Sequence, residues 1–566
     1  MGDSKNVLAS SALSASYNMV LQVMFRVMTF LLNAFILRNR YVSKDMLGVV
    51  NVRLTLLYST ILFLAREAFR RACLSQKGSH QWQQTINLIW CNFPLGIICA
   101  GALSFIWSTQ LEVPDPSVIP HYHVAVLLFA LASVIELLAE PLWVLGQALL
   151  FVKLQVLIRG FAITIKCILT LLLVVFFPNL GILSFCFAEL CFTTLVVVMY
   201  YMYFLNYINS SVKKDDDFPL KCFRDFFPRY IPNKPWISNE SALLTWSFFK
   251  QGFLKQLLTE GERYVMTLFN VLSFANQGIY DVISNLGSLA ARFIFQPIEE
   301  GGYLFFAQTL IRDVEVSKQP KESIHLASSV LKYLLKIVVL IGTTIWVFGD
   351  AYSFLLLDIY AGSLLSTEPG PTLLKWFSFY VLLIAINGTT ECFVFAAMSQ
   401  EDVDRYNHKM FLFSVLFLCS SWYLTKTIGS VGFIVANCLN MSARIIHSIY
   451  FTRNYFQDSP YQPLRGLLPS GPVIGVFILT WLVTNYSESL LCCDQGWTYR
   501  ILHIAVGGIC LLLVAITVLL TEQDLVTFVS DQWKTRRRQN TTENNADVAR
   551  GSKVKSNGEH NTKKVR

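Results

Sequence analysis

Apolar runs of about 20 residues recur along the chain, separated by short polar segments. A stretch of that length crosses the ~30 Å hydrocarbon layer of a bilayer as an α-helix. Fourteen candidate spans follow: Ser16–Leu37, Met46–Ala65, Thr85–Trp107, Val124–Leu150, Leu154–Phe177, Leu180–Leu205, Thr245–Leu272, Gln277–Leu310, Ala327–Phe348, Leu374–Met398, Met410–Thr427, Ser430–Phe451, Pro472–Tyr486 and Ile501–Thr521. The seventh and eighth are the least hydrophobic. A membrane β-barrel needs short alternating strands, which the chain does not show. The expected fold class is an all-α polytopic membrane protein.

The polar positions inside these spans are not scattered. Asn18, Gln22, Arg26, Thr29 and Asn33 are spaced 4, 4, 3 and 4, so they share one face of the first helix. An arginine near the bilayer centre costs ~2.5–3.5 kcal/mol on insertion scales. That face must turn toward other helices or a watery cavity. The seventh span repeats the pattern with Gln251, Lys255, Thr259 and Glu262. An offset of 230 residues also pairs Gly48 with Gly278, Asn51 with Asp281 and Phe63 with Phe293. Such internal repeats are common in transporters. They suggest an N-lobe over 1–205 (spans 1–6), an inter-lobe loop over 206–242 and a C-lobe over 243–455 (spans 7–12). Two extra spans over 456–522 and a basic, disordered tail over 523–566 complete the division.

Composition agrees with a membrane protein: 54% of residues are hydrophobic and 15% charged, against ~25% charged in soluble domains. The net charge of +9 collects in alternate loops and the tail. Arg66, Arg70, Arg71, Lys153, Lys221, Arg224, Arg229, Arg312, Arg405, Arg453 and Arg465 fall on one side, whereas Ser108–Tyr122 and Gly349–Pro371 on the other hold no Lys or Arg. This positive-inside asymmetry puts both termini in the cytosol; the first loop, Arg38 to Lys44, departs from it. The charge therefore reports topology, not nucleic-acid binding. Lys563 and Lys564 stand fourth and third from the end, matching a dilysine ER-retrieval signal addressed to the COPI coat.

Ionisable residues within spans are the candidate chemistry. Glu136, Glu140, Arg159, Lys166, Lys332 and Lys336 read as interfacial or structural ion-pair residues. Arg26, Arg53, Lys255, Arg263, Arg292 and Arg444 read as cavity lining. A cationic cavity suits an anionic cargo, and arginine suits phosphate oxygens through paired hydrogen bonds. There is no GxxxxGK[ST], no HExxH and no zinc-spaced Cys/His set, so neither ATP-driven transport nor a cofactor or metal is expected. Asp215, Asp216 and Asp217 read as a solvated charge run in a flexible loop, and no loop is large enough for a catalytic domain. Cys492 and Cys493 are adjacent and are assigned no disulfide.

Several longer polar strings resemble the Rft family of eukaryotic ER membrane proteins. They are Ser16-Tyr17-Asn18-Met19, Leu37-Arg38, Leu64-Ala65-Arg66-Glu67-Ala68-Phe69-Arg70-Arg71 and Leu258-Thr259-Glu260-Gly261-Glu262-Arg263-Tyr264. Others are Gln277-Gly278-Ile279-Tyr280-Asp281, Asn285-Leu286-Gly287-Ser288-Leu289, Arg292 and Gln296-Pro297-Ile298-Glu299-Glu300. The resemblance covers nearly all of Ser16–Thr521. It implies the fold of the MOP flippase superfamily, which includes MATE exporters and lipid II flippases: two six-helix lobes around a central cavity, with two extra C-terminal helices. It implies translocation of dolichol-pyrophosphate-linked Man5GlcNAc2 to the lumenal leaflet of the ER membrane for N-glycosylation, with membrane lipids as surroundings and no enzymatic role. On that reading Arg26, Arg66, Arg263 and Arg292 bind phosphate, while Glu260, Asp281, Glu299 and Glu300 pair with them or contact sugar. Glu67, Lys255 and Arg444 complete the expected cavity set. Two other readings stand beside it: an accessory protein that supplies or chaperones the lipid-linked oligosaccharide, and an ion-coupled small-solute exporter of the MATE type.

Overall fold

The computed structural model describes residues 24–530, apart from 26, 29, 39–41, 76–81, 150, 210–219, 233–234, 313, 315, 494–495 and 529. Arg26, most of the first-helix stripe, Asp215–Asp217, Lys563 and Lys564 lie outside the described residues. So do the side chains of Gln251, Lys255 and Thr259.

All regular structure among the described residues is helical. Helix α1 covers 30–37. It is followed by α2 (Lys44–Leu74), α3 (Trp82–Thr109), the bent pair α4 (Tyr122–Leu137 and Glu140–Ala148), α5 (Val152–Phe176) and α6 (Leu183–Asn209). Next come α7 (Asn239–Thr259 and Gly261–Phe269) and α8 (Phe274–Ala290, continuing into Gln296–Thr309). The remainder are α9 (Lys321–Ala361), α10 (Gly370–Ala397), α11 (Gln400–Ile428), α12 (Val431–Tyr455), α13 (Gly471–Leu491) and α14 (Trp497–Thr521).

Among the described residues nine of these helices are long and apolar enough to cross a membrane, or ten if the α4 pair, bent by 43°, is one span. The protein is a multi-span membrane protein, and the expected count of fourteen is not established. Of the helices that fall short, α7, α8 and α12 contain the polar residues of a buried hydrogen-bond network. Polar groups paired inside a helix bundle relax the demand for an apolar sequence.

The chain divides into two compact units. The first comprises Met1–Ile294, Tyr352–Val381 and Asp404–Arg444, and the second Phe295–Ala351, Leu382–Val403 and Ile445–Arg566. The first unit has a core of Val49, Leu54, Leu57 and Ile61 from α2 against Ala125, Val126 and Phe129 from α4. A separate cluster joins Ile158 and Ala162 of α5 to Phe192, Val196 and Phe204 of α6. Phe226 of the loop after α6 packs into it, and Trp90 donates its indole N–H to the Phe226 carbonyl at 2.8 Å. In the second unit α9 packs on α13 and α14 through Leu340, Val347, Val473, Phe477 and Val514. Glu522, just past α14, accepts from Lys336 and from the Ser470 backbone N–H. The Cys492 and Cys493 side chains lie against each other just past α13.

Candidate functional site

Three short π-helical turns interrupt the helices of the first unit: Gly48–Leu54 and Phe63–Glu67 in α2, and Ala291–Phe295 in α8. A π turn adds a residue to the helical repeat and re-aims the side chains beside it, and such turns concentrate at functional sites. Here they carry Arg53, Arg66 and Arg292 respectively.

Arg66 faces α4. Its Nη1 donates to Glu136 Oε1 at 2.7 Å and approaches Glu140 Oε1 at 3.4 Å. One helical turn on, Arg70 grips Glu140 with two parallel bonds, Nε to Oε2 at 2.6 Å and Nη2 to Oε1 at 2.7 Å. Its guanidinium also lies 3.6 Å from the centre of the Trp143 ring. Both carboxylates are buried, Glu136 at 4% and Glu140 at 2% exposure. Ions so far from water are tolerated only when paired in good geometry, and a two-bond arginine–carboxylate contact supplies it. Lys166 of α5 pairs with Glu189 of α6 in the same region. Arg70, Glu136, Glu140 and Arg159 line a cavity of about 310 Å³ between α4, α5 and α6.

A second network joins α7, α8 and α12. Arg263 bonds Glu260 Oε2 and Asp281 Oδ1, each at 3.1 Å. Asp281 Oδ2 accepts from Asn285 at 3.0 Å, and the Asn51 side chain adds a further hydrogen bond. Beside it Glu262 accepts from the Tyr280 hydroxyl at 2.7 Å and from the Asn437 amide. Glu67 pairs with Arg71 one turn away, half-exposed. Glu300 accepts from Gln296 on the exposed face of α8, and Arg292 is exposed one turn earlier. The Glu299 carboxylate lies against Gly388 of α10, where a β-carbon would sit 2.5 Å from Oε2. Arg444 is half-buried on α12. Of the expected residues, Arg66 belongs to the first network and Glu260, Arg263 and Asp281 to the second; Glu67, Arg292 and Arg444 stand outside both, and Glu299 and Glu300 belong to the second unit.

Arg53 differs from its expectation as cavity lining. It is fully buried, with Nη2 donating to Asn270 Oδ1 at 2.8 Å, Glu112 Oε2 at 3.6 Å and its guanidinium 4.9 Å from the Phe274 ring. Its partners are the loops after α7 and α3, so it fastens connections together.

Comparison with known proteins decides the family: the family model for the Rft protein matches residues 10–532. The chain belongs to the Rft family. It is 53% identical over 526 residues to the Man(5)GlcNAc(2)-PP-dolichol translocation protein RFT1 of Xenopus tropicalis, covering 93% of this chain and 97% of that one. The corresponding protein of Mus musculus is 51% identical, with 94% and 98% covered. Among solved structures the lipid II flippase MurJ, in an inward closed conformation, matches with a TM-score of 0.54 over 90% of this chain and 99% of that one. At 11% identity that likeness shows the fold, the one expected from the resemblance.

In this Rft chain the partners that sequence reasoning missed are mostly uncharged or lie at helix ends. Tyr280 and Asn437 hold Glu262, and Asn270 holds Arg53. Arg70 was placed in a loop, yet it makes the tightest contact with Glu140. A signal existed: Arg66 and Arg70 stand four apart, as do Glu136 and Glu140, so each pair forms one face able to meet the other.

Proposed function

We propose that this protein carries Man5GlcNAc2-PP-dolichol across the ER membrane, from the cytosolic to the lumenal leaflet, for protein N-glycosylation. The observation that carries the reading is whole-length identity: 53% over 97% of a relative named for that translocation. The membrane-embedded arginine–carboxylate networks support it physically. A polar headgroup crossing a bilayer needs charged and hydrogen-bonding groups held out of lipid, and helix bundles hold them at their interiors.

The protein acts as a translocator without catalysis, in two six-helix lobes (1–205 and 243–455) with both termini in the cytosol. Arg26, Arg66, Lys255, Arg263, Arg292 and Arg444 supply cations for the pyrophosphate; Glu67, Glu260, Asp281, Glu299 and Glu300 balance them or meet sugar hydroxyls. Arg66 and Arg263 already bind carboxylates, and a phosphate oxygen is a chemically similar exchange partner. The polyprenyl tail stays in the surrounding lipid. Lys563 and Lys564 return the protein to the ER through the COPI coat.

Reconstitution tests this. Purified full-length protein in liposomes is expected to move the authentic glycolipid between leaflets above the protein-free background. Charge reversal at Arg292 is expected to abolish that gain at normal protein levels. Wild-type protein that leaves the rate at background would instead assign it the accessory role of supplying the lipid-linked oligosaccharide.

A further inference from the structure

The pairing around the α4–α6 cavity is incomplete in a specific way. Glu140 is saturated by Arg70 and Arg66, and Lys166 is matched by Glu189. Glu136 spends Oε1 on Arg66, but its Oε2 is buried without a hydrogen-bond partner. Arg159, on the cavity wall contributed by α5, has no ion-pair or hydrogen-bond partner among the described residues. Arg159 and Glu136 line the same space with no salt bridge or hydrogen bond between them, although their charges attract across it. The Tyr200 hydroxyl of α6 is on that lining too and also bonds to nothing among the described residues. Glu136 Oε2 is thus a buried acceptor left unmet, although buried polar groups are almost always satisfied, and the exposed Arg159 guanidinium and the Tyr200 hydroxyl border the same small cavity.

Charge decides what class of molecule fits. The cluster contains four cations, Arg66, Arg70, Arg159 and Lys166, and three carboxylates, Glu136, Glu140 and Glu189. One positive charge is in excess and it belongs to Arg159, so the occupant is anionic. Arg159 and Tyr200 ask for acceptor oxygens, whereas Glu136 Oε2 asks for a donor. Sulfate offers no donor, inorganic phosphate only its own P–OH, and a neutral sugar no charge; a glycosyl phosphate offers a charge and, at a distance from it, sugar hydroxyl donors. The volume of about 310 Å³ lies at the small end of ligand pockets, ~300–1,000 Å³, and suits one sugar-phosphate unit rather than a whole glycan.

We propose that this cavity is a glycosyl-phosphate subsite, with Arg159 and Tyr200 on the phosphate oxygens and Glu136 Oε2 accepting from a sugar hydroxyl or amide N–H. It rests on the proposed function. Under that topology the cavity opens from the cytosolic halves of α4 and α5, the side on which the lipid-linked headgroup starts. Arg159 then replaces Arg66 as the cation free to receive cargo.

The test uses purified full-length protein in nanodiscs, titrated calorimetrically with four probes: N-acetylglucosamine 1-phosphate, N-acetylglucosamine, inorganic phosphate and a farnesyl-diphosphate-linked N-acetylglucosamine. The sugar phosphate is expected to bind at least tenfold more tightly than either part alone. Stronger binding of the farnesyl form assigns the subsite to lipid-linked cargo, and equal binding to free sugar phosphates. Arg159→Gln is expected to weaken binding at least tenfold with an unchanged melting temperature, and Arg159→Lys to restore most of it. Glu136→Gln should remove the advantage of sugar phosphate over phosphate. Wild-type affinity in Arg159→Gln, or inorganic phosphate binding as tightly as the sugar phosphate, overturns the subsite. The liposome assay separates the two readings: an Arg159-dependent subsite in a protein that does not flip lipid sinks only the translocation reading, and flipping with no such subsite sinks only this one.

Discussion

Gly278 of α8 presses against the backbone of Gly48 of α2, so that a β-carbon at 278 would stand 2.6 Å from both the Gly48 nitrogen and the Lys44 carbonyl oxygen. A β-carbon at Gly48 would fall on the Phe274 carbonyl oxygen. These are the two positions that the 230-residue offset pairs, and the next offset pair, Asn51 and Asp281, is hydrogen-bonded just below.

Alanine at either glycine must push two backbones apart, since neither obstacle is a flexible side chain. Overpacking of this kind costs ~1–3 kcal/mol. Gly278→Ala is therefore expected to lower the melting temperature of the detergent-purified protein by several degrees, whereas Gly475→Ala on α13, where a β-carbon meets nothing within 4 Å, leaves it unchanged. Equal melting of the two variants would contradict the close approach.

Arg53 and Asn270 are expected to act as a coupled pair. Asn270 stands at φ 48, a left-handed conformation that asparagine and glycine tolerate. Asn270→Gly keeps that backbone and removes only the acceptor. Arg53→Met keeps the apolar stem and removes the guanidinium. A hydrogen bond to a charged group contributes ~1.5–3 kcal/mol, so each single variant should lose about that much and the double variant little more. Strictly additive losses in a thermal-melt double-mutant cycle would show that the two do not interact.

The sequence made the spans legible because lipid demands continuous apolar length, and α2, α9 and α14 lie where hydropathy puts them. It also showed that charges were buried. Which charges were spent on each other was not legible, because that depends on helix rotation and on partners far along the chain. Arg53, central in its span, is held by Asn270, 217 residues away. Arg159 read as interfacial or structural, and it stands exposed on the cavity wall, without a salt bridge, while Arg70 takes Glu140. The weak hydropathy of α7 and α8 has the same origin: Tyr280 and Asn437 satisfy Glu262, and Arg263 satisfies Asp281, so these carboxylates are held inside the bundle.

Removing one partner from the α2–α4 ion-pair cluster should be more damaging than removing a matched pair. Glu140→Gln leaves Arg66 and Arg70 facing a neutral amide in a nearly dry setting. Breaking a buried pair from one side costs ~3–5 kcal/mol, while a neutral replacement of both partners is often tolerated. Glu140→Gln is expected to reduce the yield of monodisperse protein on size-exclusion chromatography severely, and Arg70→Gln with Glu140→Gln to recover much of it. A double variant no better than the single would count against this account.

The loop after α6 carries a pH-dependent clasp. Burial alone would raise the Asp225 carboxyl, but the backbone N–H groups of Lys221 and Cys222, at 2.8 and 2.9 Å, and the Arg229 guanidinium more than offset it, so its pKa lies below the usual aspartate value. A depressed carboxylate contributes stability that is complete above the unfolded value of ~3.9 and lost as pH falls through the lower folded value. The clasp holds Phe223 and Phe226 against Tyr201, so its loss frees the loop from the end of α6. Hydrogen exchange at the Lys221 and Cys222 amides should stay slow from pH 7 to pH 5, after correction for the intrinsic rate. Protection should fall only as pH drops below about 4, near the reference aspartate pKa. Asp225→Asn should lose much of that protection already at pH 7, because the amide oxygen is a weaker acceptor and no longer pairs with Arg229. Full protection in Asp225→Asn at pH 7 would mean that the aromatic contacts alone hold the loop.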